Sequence, residues 1–192
     1  GIRSMMRQDP DVILVGEIRD HVTAEMAFRA AMTGHQVFST LHTNSAVGAI
    51  PRLLDIGILP DVIAGNLIGV VAQRLVRKLC KECKKEEIAS EMEKRLLGID
   101  LDREVKIFNA LGCPACEHQG YKGRTSVIEI LKVNAVMDDL IARRASMREI
   151  LNAAITQGFQ PIAHDACRRV LDGTTSLEEV SRVVDLTDRI LG

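Results

Sequence analysis

The chain has 192 residues, 46% of them hydrophobic, which allows one large or two small domains with a packed core. With 25 basic and 26 acidic side chains its net charge is −1, so bulk charge gives no reason to expect a nucleic-acid partner. It shows no signal-peptide pattern, and no apolar run approaches the roughly 18 residues of a membrane-spanning helix.

The N-terminal residues predict a short helix followed by a strand. Residues 2–8 have helical spacing, with Arg3 and Arg7 on one face, and Pro10 ends the helix. Because the chain opens inside this helix and without Met, we expect a piece of a longer protein. Residues 12–15 are aliphatic without polar alternation, which is typical of a strand buried on both faces of a parallel sheet.

A strand–helix–strand unit follows from this start. Residues 21–33 carry apolar side chains at helical spacing, Gly34 ends the helix, and residues 36–41 read as a second strand. Such a crossover is right-handed and gives parallel strands. Glu17 and His42 are therefore expected at the carboxyl edge of one sheet, together with the hydroxyls of Ser39, Thr40 and Thr43, where α/β proteins bind ligands.

The middle of the chain predicts helices and a strand pair. We expect a helix from Ser45 to residue 54, interrupted by Pro51, and a helix-compatible stretch over residues 61–73. Residues 74–79 and 125–133 alternate as strands and are expected to pair, so that the cysteine-bearing segment between them protrudes from a hairpin-like base.

The C-terminal third predicts four helices. Three cover residues 136–143, 147–156 and 162–171, and Cys167 is expected as a small buried side chain in the third. The fourth begins after Ser176, and Glu179 three residues later fits a capping box.

Two Cys-x-x-Cys pairs are the most specific chemical signal in the sequence. Cys80 and Cys83 form the first pair and Cys113 and Cys116 the second, a pattern that places four thiolates around a structural zinc ion. Glycines beside the second pair, Gly112 and Gly120, permit tight turns. The spacer between the pairs exceeds the roughly 15 to 20 residues of compact motifs, so reduced thiols without metal and redox activity remain alternatives.

An apolar strand that ends in Glu17 is typical of the second acidic element of P-loop NTPases. Such a carboxylate either holds Mg²⁺ or activates the attacking water, and Gly16 stands where a second carboxylate is common. The sequence has no Gly-x-x-x-x-Gly-Lys-Ser/Thr phosphate loop. By itself the chain is therefore not expected to bind ATP tightly.

Taken in order, the motifs resemble those of the secretion ATPases of type II secretion and type IV pilus assembly. The matching stretches cover residues 7–11, 15–20, 33–35, 39–44, 72–80 and 120–125. The resemblance implies an α/β fold comprising the distal part of a RecA-like P-loop ATPase core, a tetracysteine zinc subdomain and a helical C-terminal subdomain. We place the boundaries at 1–79, 80–123 and 124–192.

The resemblance also implies residue roles. Glu17 matches the family's Walker B Glu, and His35 and His42 match its histidine box. These matches imply catalytic roles for Glu17 and His42 and a nucleotide or subunit contact for His35. The four cysteines match the zinc element of assembly ATPases rather than retraction ATPases. The remaining matches are arginines that act at nucleotide or subunit contacts: Arg3, Arg7, Arg19 and Arg124. A solvated helix face is the alternative for Arg3 and Arg7, a strand-entry ion pair for Arg124, and a simple helix-end role for His35.

For the whole protein, the resemblance implies a homo-hexamer that uses ATP and Mg²⁺ and contains structural Zn²⁺. It implies a cytoplasmic location at the bacterial inner membrane, with secretion or pilus platform proteins as partners and no nucleic acid. The alternative is a zinc-stabilised module without ATPase activity, which binds protein or nucleic acid through a lysine cluster: Lys78, Lys81, Lys84 and Lys85.

Overall fold

The computed structural model describes Gln8 and residues 10–187, which fall into two compact units. The first unit contains residues up to Ala72 together with Ile130–Phe159, and the second contains Gln73–Glu129 together with residues from Gln160 on. The three-domain division made from the sequence stays a prediction. Within the described residues no helix is both long and apolar enough to cross a membrane.

The first unit opens with the predicted strand–helix–strand. Strand β1 (Val12–Val15) pairs in parallel with β2 (Gln36–Ser39), and helix α1 (His21–Met32) joins them. The Asp20 carboxylate caps α1 by accepting from the backbone N–H of Thr23 at 2.9 Å, which satisfies a donor that the helix leaves unpaired. The parallel pairing predicted from the sequence is confirmed.

The prediction that β1 is buried on both faces is wrong. Ile13 and Val15 are buried in the first unit's core, whereas Val12 and Leu14 are 55% and 71% exposed. Successive side chains of a strand point to opposite faces, and in the described chain only one face of β1 is covered. An uninterrupted apolar run therefore indicated a strand correctly but not what packs against it.

The segment after β2 also differs from its prediction. Helix α2 spans Ala49–Asp55 and α3 only Pro60–Ile63, and strand β3 begins at Gly69 and continues to Leu79. Pro51 sits in the first turn of α2, where a missing N–H costs nothing, so it does not interrupt the helix. The stretch predicted as helix-compatible to residue 73 is strand in its second half, since β-branched Val70 and Val71 suit a pleated surface.

The expected strand pairing over residues 74–79 and 125–133 is confirmed, with longer strands. Strand β3 pairs with β6 (Tyr121–Lys132) in a two-stranded sheet. Hydrogen bonds join Val133 to Ile68 and Cys80 to Gly120, so the strands run antiparallel. The first unit is completed by helices α5 (Ala135–Ala142) and α6 (Met147–Thr156), close to the predicted bounds.

The second unit contains the segment between these strands and the C-terminal helices. Strand β4 (Lys85–Ile88) pairs antiparallel with β5 (Lys106–Asn109), and α4 (Glu91–Leu97) lies between them in the chain. Helices α7 (Ile162–Leu171) and α8 (Leu177–Ser181) follow β6. The prediction of a buried Cys167 is confirmed; its Sγ lies 3.7 Å from the carbonyl oxygen of Leu96.

A buried ion pair ties β3 to α8 within the second unit. The Glu179 side chain is 3% exposed, and its carboxylate accepts hydrogen bonds from the backbone N–H and guanidinium of Arg77 and from Arg182. Ser176 caps α8 by accepting from the Glu179 N–H at 3.1 Å. The predicted capping box is thus half formed, because the Glu179 carboxylate is occupied by arginines instead of reaching back to Ser176.

Changing Glu179 to Gln is expected to destabilise the chain by about 2–4 kcal/mol, because the substitution leaves Arg77 without its buried charge partner. Burial alone raises the pKa of Glu179, but the hydrogen bonds from Arg77 outweigh it and the pKa is lowered. A lowered pKa in the folded state gives stability that is present above the ordinary carboxyl value and is lost as pH falls through the folded value. Urea unfolding at pH 7 and pH 4 tests this.

The exposed neighbour Glu178 provides the matched control, and Glu178→Gln should cost no more than about 0.5 kcal/mol. The cost of Glu179→Gln should shrink between pH 7 and pH 4. Equal costs for the two variants at pH 7 would contradict the assignment of a stabilising ion pair to Glu179.

Candidate catalytic edge and metal centre

The carboxyl ends of β1 and β2 bring two loops together in the first unit. After Val15 the chain passes through Gly16 and Glu17, and after Ser39 it passes through Thr40 to His42. The N–H of Ile18 donates to the carbonyl of Thr40 at 2.9 Å, so the two loops continue to bond beyond the strands. This edge is where the sequence predicted a functional carboxylate.

Glu17 is the centre of a small polar cluster at this edge. Arg19 Nε donates to Glu17 Oε2 at 2.5 Å, and His42 Nε2 lies 3.3 Å from the same oxygen. The Glu17 side chain is 35% exposed, which leaves it open to a ligand. The hydrogen bond from Arg19 is the main cause that lowers the pKa of Glu17, and contact with His42 adds to it. Glu17 is therefore an ionised carboxylate at neutral pH, able to accept a proton or to contact a cation.

The structure brings together three of the predicted residues, Glu17, Arg19 and His42. Arg19 was predicted at a nucleotide or subunit contact; here its guanidinium pairs with Glu17 while its side chain stays 71% exposed. Their positions after β1 predicted that both residues lie at this edge of the sheet. No pattern in the sequence predicted that Arg19 contacts Glu17.

His35 lies before β2 begins, at the opposite end of the strand from His42. Its Nδ1 is 3.0 Å from the Ala30 carbonyl and 3.1 Å from the Thr33 hydroxyl, so the ring contacts the C-terminal turn of α1. A nucleotide or subunit role for His35 stays a prediction.

The other arginines are placed as follows. Arg124 is an exposed residue of β6 in the second unit. Arg3 and Arg7 lie outside the described residues. The roles predicted for these three residues therefore stay predictions.

The four paired cysteines converge on one point of the second unit. Their sulfurs all lie within 4.8 Å of one another, and the contacts Cys80–Cys113, Cys83–Cys116 and Cys113–Cys116 measure 3.9, 3.8 and 3.8 Å. Four thiolates around zinc, with Zn–S bonds of about 2.3 Å, have sulfurs about 3.8 Å apart. The cluster can therefore hold a tetrahedral metal ion with no open coordination position. All four cysteines are free of disulfides.

Backbone N–H groups point at two sulfurs of the cluster. Backbone N–H groups donate to sulfur, Gly112 to Cys83 at 3.3 Å and Gly120 and Cys113 to Cys116 at 3.2 and 3.3 Å. Burial raises the pKa of the Cys83 thiol to about 11 despite the Gly112 N–H, whereas at Cys116 burial is outweighed by the N–H groups of Cys113 and Gly120, which lower the pKa to about 6. Donors aimed at sulfur satisfy the negative charge that metal-bound thiolates carry. The residues present therefore fit a structural metal ion.

Glycine is required on both sides of the second cysteine pair. Gly120 has φ +76°, and a Cβ there would lie 2.6 Å from the Cβ of Ala110. Gly112 has φ +107°, and a Cβ there would lie 2.7 Å from the His118 carbonyl oxygen. Both positions place backbone too close for a side chain, and both supply N–H donors to the sulfurs. This agrees with the tight turns expected from the sequence.

Gly120→Ala is expected to destabilise the chain by about 2–4 kcal/mol, because it adds a steric clash to an unfavourable positive φ. Gly123 is the matched control, since its φ is +79° but a Cβ there meets no atom within 4 Å. Gly123→Ala should cost only about 1–2 kcal/mol. Thermal melting of both variants measures the difference, and equal losses would show that the contact with Ala110 has no cost.

The lysine cluster proposed as an interaction surface is partly engaged within the second unit. Lys84 Nζ donates to the Gly173 carbonyl at 3.0 Å and lies 4.3 Å from the ring centroid of Phe108. Lys85 forms an ion pair with Glu87 at 2.8 Å. Two of the four lysines therefore already have partners within the second unit, and the ion pair with Glu87 offsets the charge of Lys85.

Comparison with known proteins shows the family to which the chain belongs. The family model described as "Type II/IV secretion system protein" matches residues 1–182. The chain belongs to this family. The type II secretion system protein E of Pseudomonas aeruginosa is 49% identical to this chain over 183 residues, which is 95% of the chain and 36% of that relative. The type IV pilus assembly ATPase TfpB of Acinetobacter baylyi is 45% identical over 192 residues, 97% of the chain and 32% of the relative.

A solved structure has a fold similar to that of this chain. The pilus retraction motor PilT with bound ADP matches with a TM-score of 0.65 and 28% identity, over 95% of the chain and 42% of PilT. The chain spans about a third of the length of the curated relatives it matches. The predicted family and the predicted α/β fold, as the distal part of such an ATPase, are confirmed.

Proposed function

We propose that this chain supplies the catalytic carboxylate of a P-loop ATPase that powers type II secretion or type IV pilus assembly. The observation that carries the proposal is the cluster of Glu17, Arg19 and His42 at the carboxyl edge of the parallel strands. Relatives named as secretion proteins and pilus assembly ATPases, at 45–49% identity, support it.

Glu17 is the residue that acts on the attacking water. Its carboxylate is ionised and partly open to solvent, so it can orient a water molecule and accept its proton. His42, 3.3 Å away, can share that proton or contact a phosphate oxygen. When bound, ATP would supply the phosphoryl group, and Mg²⁺ would neutralise part of the negative charge of the phosphates.

The phosphate loop must come from elsewhere in the longer protein. None of the 192 residues forms the Gly-x-x-x-x-Gly-Lys-Ser/Thr pattern. We expect the chain by itself to be inactive and the longer protein to act as a homo-hexamer. Its proposed location is the cytoplasmic face of the bacterial inner membrane, with secretion or pilus platform proteins as partners and without nucleic acid.

The cysteine cluster is proposed to hold Zn²⁺ in a structural role. Sulfur separations of 3.8–3.9 Å support a tetrahedral ion, and a closed set of four thiolates leaves no position for a substrate. The metal is assigned to folding of the second unit, and hydrolysis is assigned to the first.

The proposal is tested in a bacterium that produces the longer protein with Glu17→Gln. Loss of secretion or of surface pili is the expected result. A matched control is Glu25→Gln, since Glu25 is also paired with an arginine, Arg29, at 2.8 Å in the first unit. Normal secretion and piliation with Glu17→Gln would overturn the proposal and favour the interaction-module alternative.

A further inference from the structure

Thr40 contacts the backbone on both sides of Glu17. Its hydroxyl donates to the carbonyl of Gly16 at 2.8 Å, and its own carbonyl accepts the N–H of Ile18 at 2.9 Å. Gly16 and Ile18 are the residues immediately before and after Glu17. One residue of the neighbouring loop thus holds both peptide groups that flank the proposed catalytic carboxylate.

The same loop carries His42, two residues after Thr40. Since Thr40 fixes the Glu17 loop against its own loop, it also sets how closely His42 approaches Glu17, a distance of 3.3 Å. Ile18, only 7% exposed, anchors the far side of the Glu17 turn in the first unit's core. Glu17 is thereby held between a buried side chain and a two-point backbone contact.

We propose that Thr40 is a positioning residue that holds Glu17 against His42 and thereby sets the geometry for water activation. The inference rests on the proposed function of Glu17. The Thr40 hydroxyl contacts a backbone carbonyl and touches neither reacting group, so it acts through Glu17. Proton transfer requires heavy atoms held within about 2.6–3.2 Å of their target, and small displacements of a catalytic group are costly.

Thr40→Val and Thr40→Ser separate the hydroxyl from the shape of the side chain. Valine keeps the branched shape but cannot donate to Gly16, whereas serine keeps the donor. In the longer protein we expect Thr40→Val to lower kcat about tenfold with little change in KM for ATP, and Thr40→Ser to restore at least half of the wild-type kcat. Thr156→Val removes a similar hydroxyl-to-carbonyl bond in α6, to Asn152, and should leave kcat unchanged.

A second readout does not depend on activity. The pKa of Glu17 is lowered mainly by Arg19 and further by His42, the two charged or titratable groups that contact it. Carbon-13 NMR titration of the Glu17 carboxyl should give a higher pKa in Thr40→Val than in the wild type, and an unchanged value in Thr40→Ser.

The outcomes distinguish the two claims. If Glu17→Gln abolishes hydrolysis while Thr40→Val keeps a wild-type kcat and Glu17 pKa, the positioning role is wrong and the proposed function stands. If Glu17→Gln hydrolyses ATP normally, the proposed function itself is wrong. An equal loss in Thr40→Val and Thr40→Ser would also overturn the inference, since it would show that the hydroxyl is irrelevant.

Discussion

Replacing Cys116 with Ala is expected to remove the metal and unfold the cysteine-bearing part of the second unit. A site of four thiolates can contribute apparent binding energy of order 10 kcal/mol to folding, about as much as the whole free energy of unfolding of a typical domain. Cys116 is buried and accepts backbone N–H bonds from Cys113 and Gly120, so alanine also leaves these donors without a partner. Elemental analysis and thermal melting measure the effect.

The matched control for this change is Cys167→Ala. Cys167 is also a buried cysteine of the second unit, but its Sγ contacts a backbone carbonyl in place of other sulfurs. The Cys167→Ala variant should lose about 1 kcal/mol of the free energy of unfolding and keep one zinc ion per chain. A wild-type chain that contains no stoichiometric metal, or that melts at the same temperature with and without a chelator, would contradict the metal centre.

The sequence predicted the convergence of the four cysteines and the strand–helix–strand unit well, because both are encoded in short spacings. Two residues between cysteines fix a turn that brings two sulfurs together, and a helix between two apolar runs leaves a right-handed crossover as the favoured connection. The roles of Gly112 and Gly120 were predicted for the same reason, since a tight turn beside a Cys-x-x-Cys pair requires backbone angles that glycine adopts.

The secondary structure of residues 61–73 was harder to predict, because an apolar stretch is compatible both with a buried helix and with a strand. Periodicity does not separate the two in short runs, and the structure changes from helix α3 to strand β3 within this stretch. The β-branched pair Val70 and Val71 was the available signal for a strand.

Other features depend on contacts between distant residues. Glu179 and Arg77 are 102 positions apart in the sequence. No local sequence pattern therefore indicated that the Glu179 carboxylate forms a buried ion pair with Arg77 instead of completing the capping box. The prediction that both faces of β1 are buried was wrong for the same reason. The exposure of Leu14 depends on what covers the sheet and not on the sequence of β1 itself.

The largest effect on activity is expected from Glu17→Gln. Glutamine keeps the size of the side chain and can still contact Arg19 or His42, but it cannot accept a proton from water. General-base catalysis contributes about 10² to 10⁴ in rate, so kcat should fall at least about 100-fold while the affinity for ATP changes less than about threefold. This split between rate and binding separates a catalytic role from a nucleotide-binding one.

Glu25→Gln again serves as the control, because it removes a carboxylate from an arginine ion pair in the same unit without touching the strand edge. A normal kcat is expected for it, since exposed i,i+4 pairs contribute only about 0.3–0.5 kcal/mol to stability. Comparing the two variants corrects for any general effect of losing a negative charge.

The most direct measurement of the central claim is therefore steady-state ATP hydrolysis by the longer protein, with ATP affinity measured in parallel. The account predicts a Glu17→Gln variant that binds ATP like the wild type and hydrolyses it at least about 100 times more slowly. A variant whose kcat stays within about threefold of the wild type would contradict the assignment of Glu17 as the catalytic carboxylate.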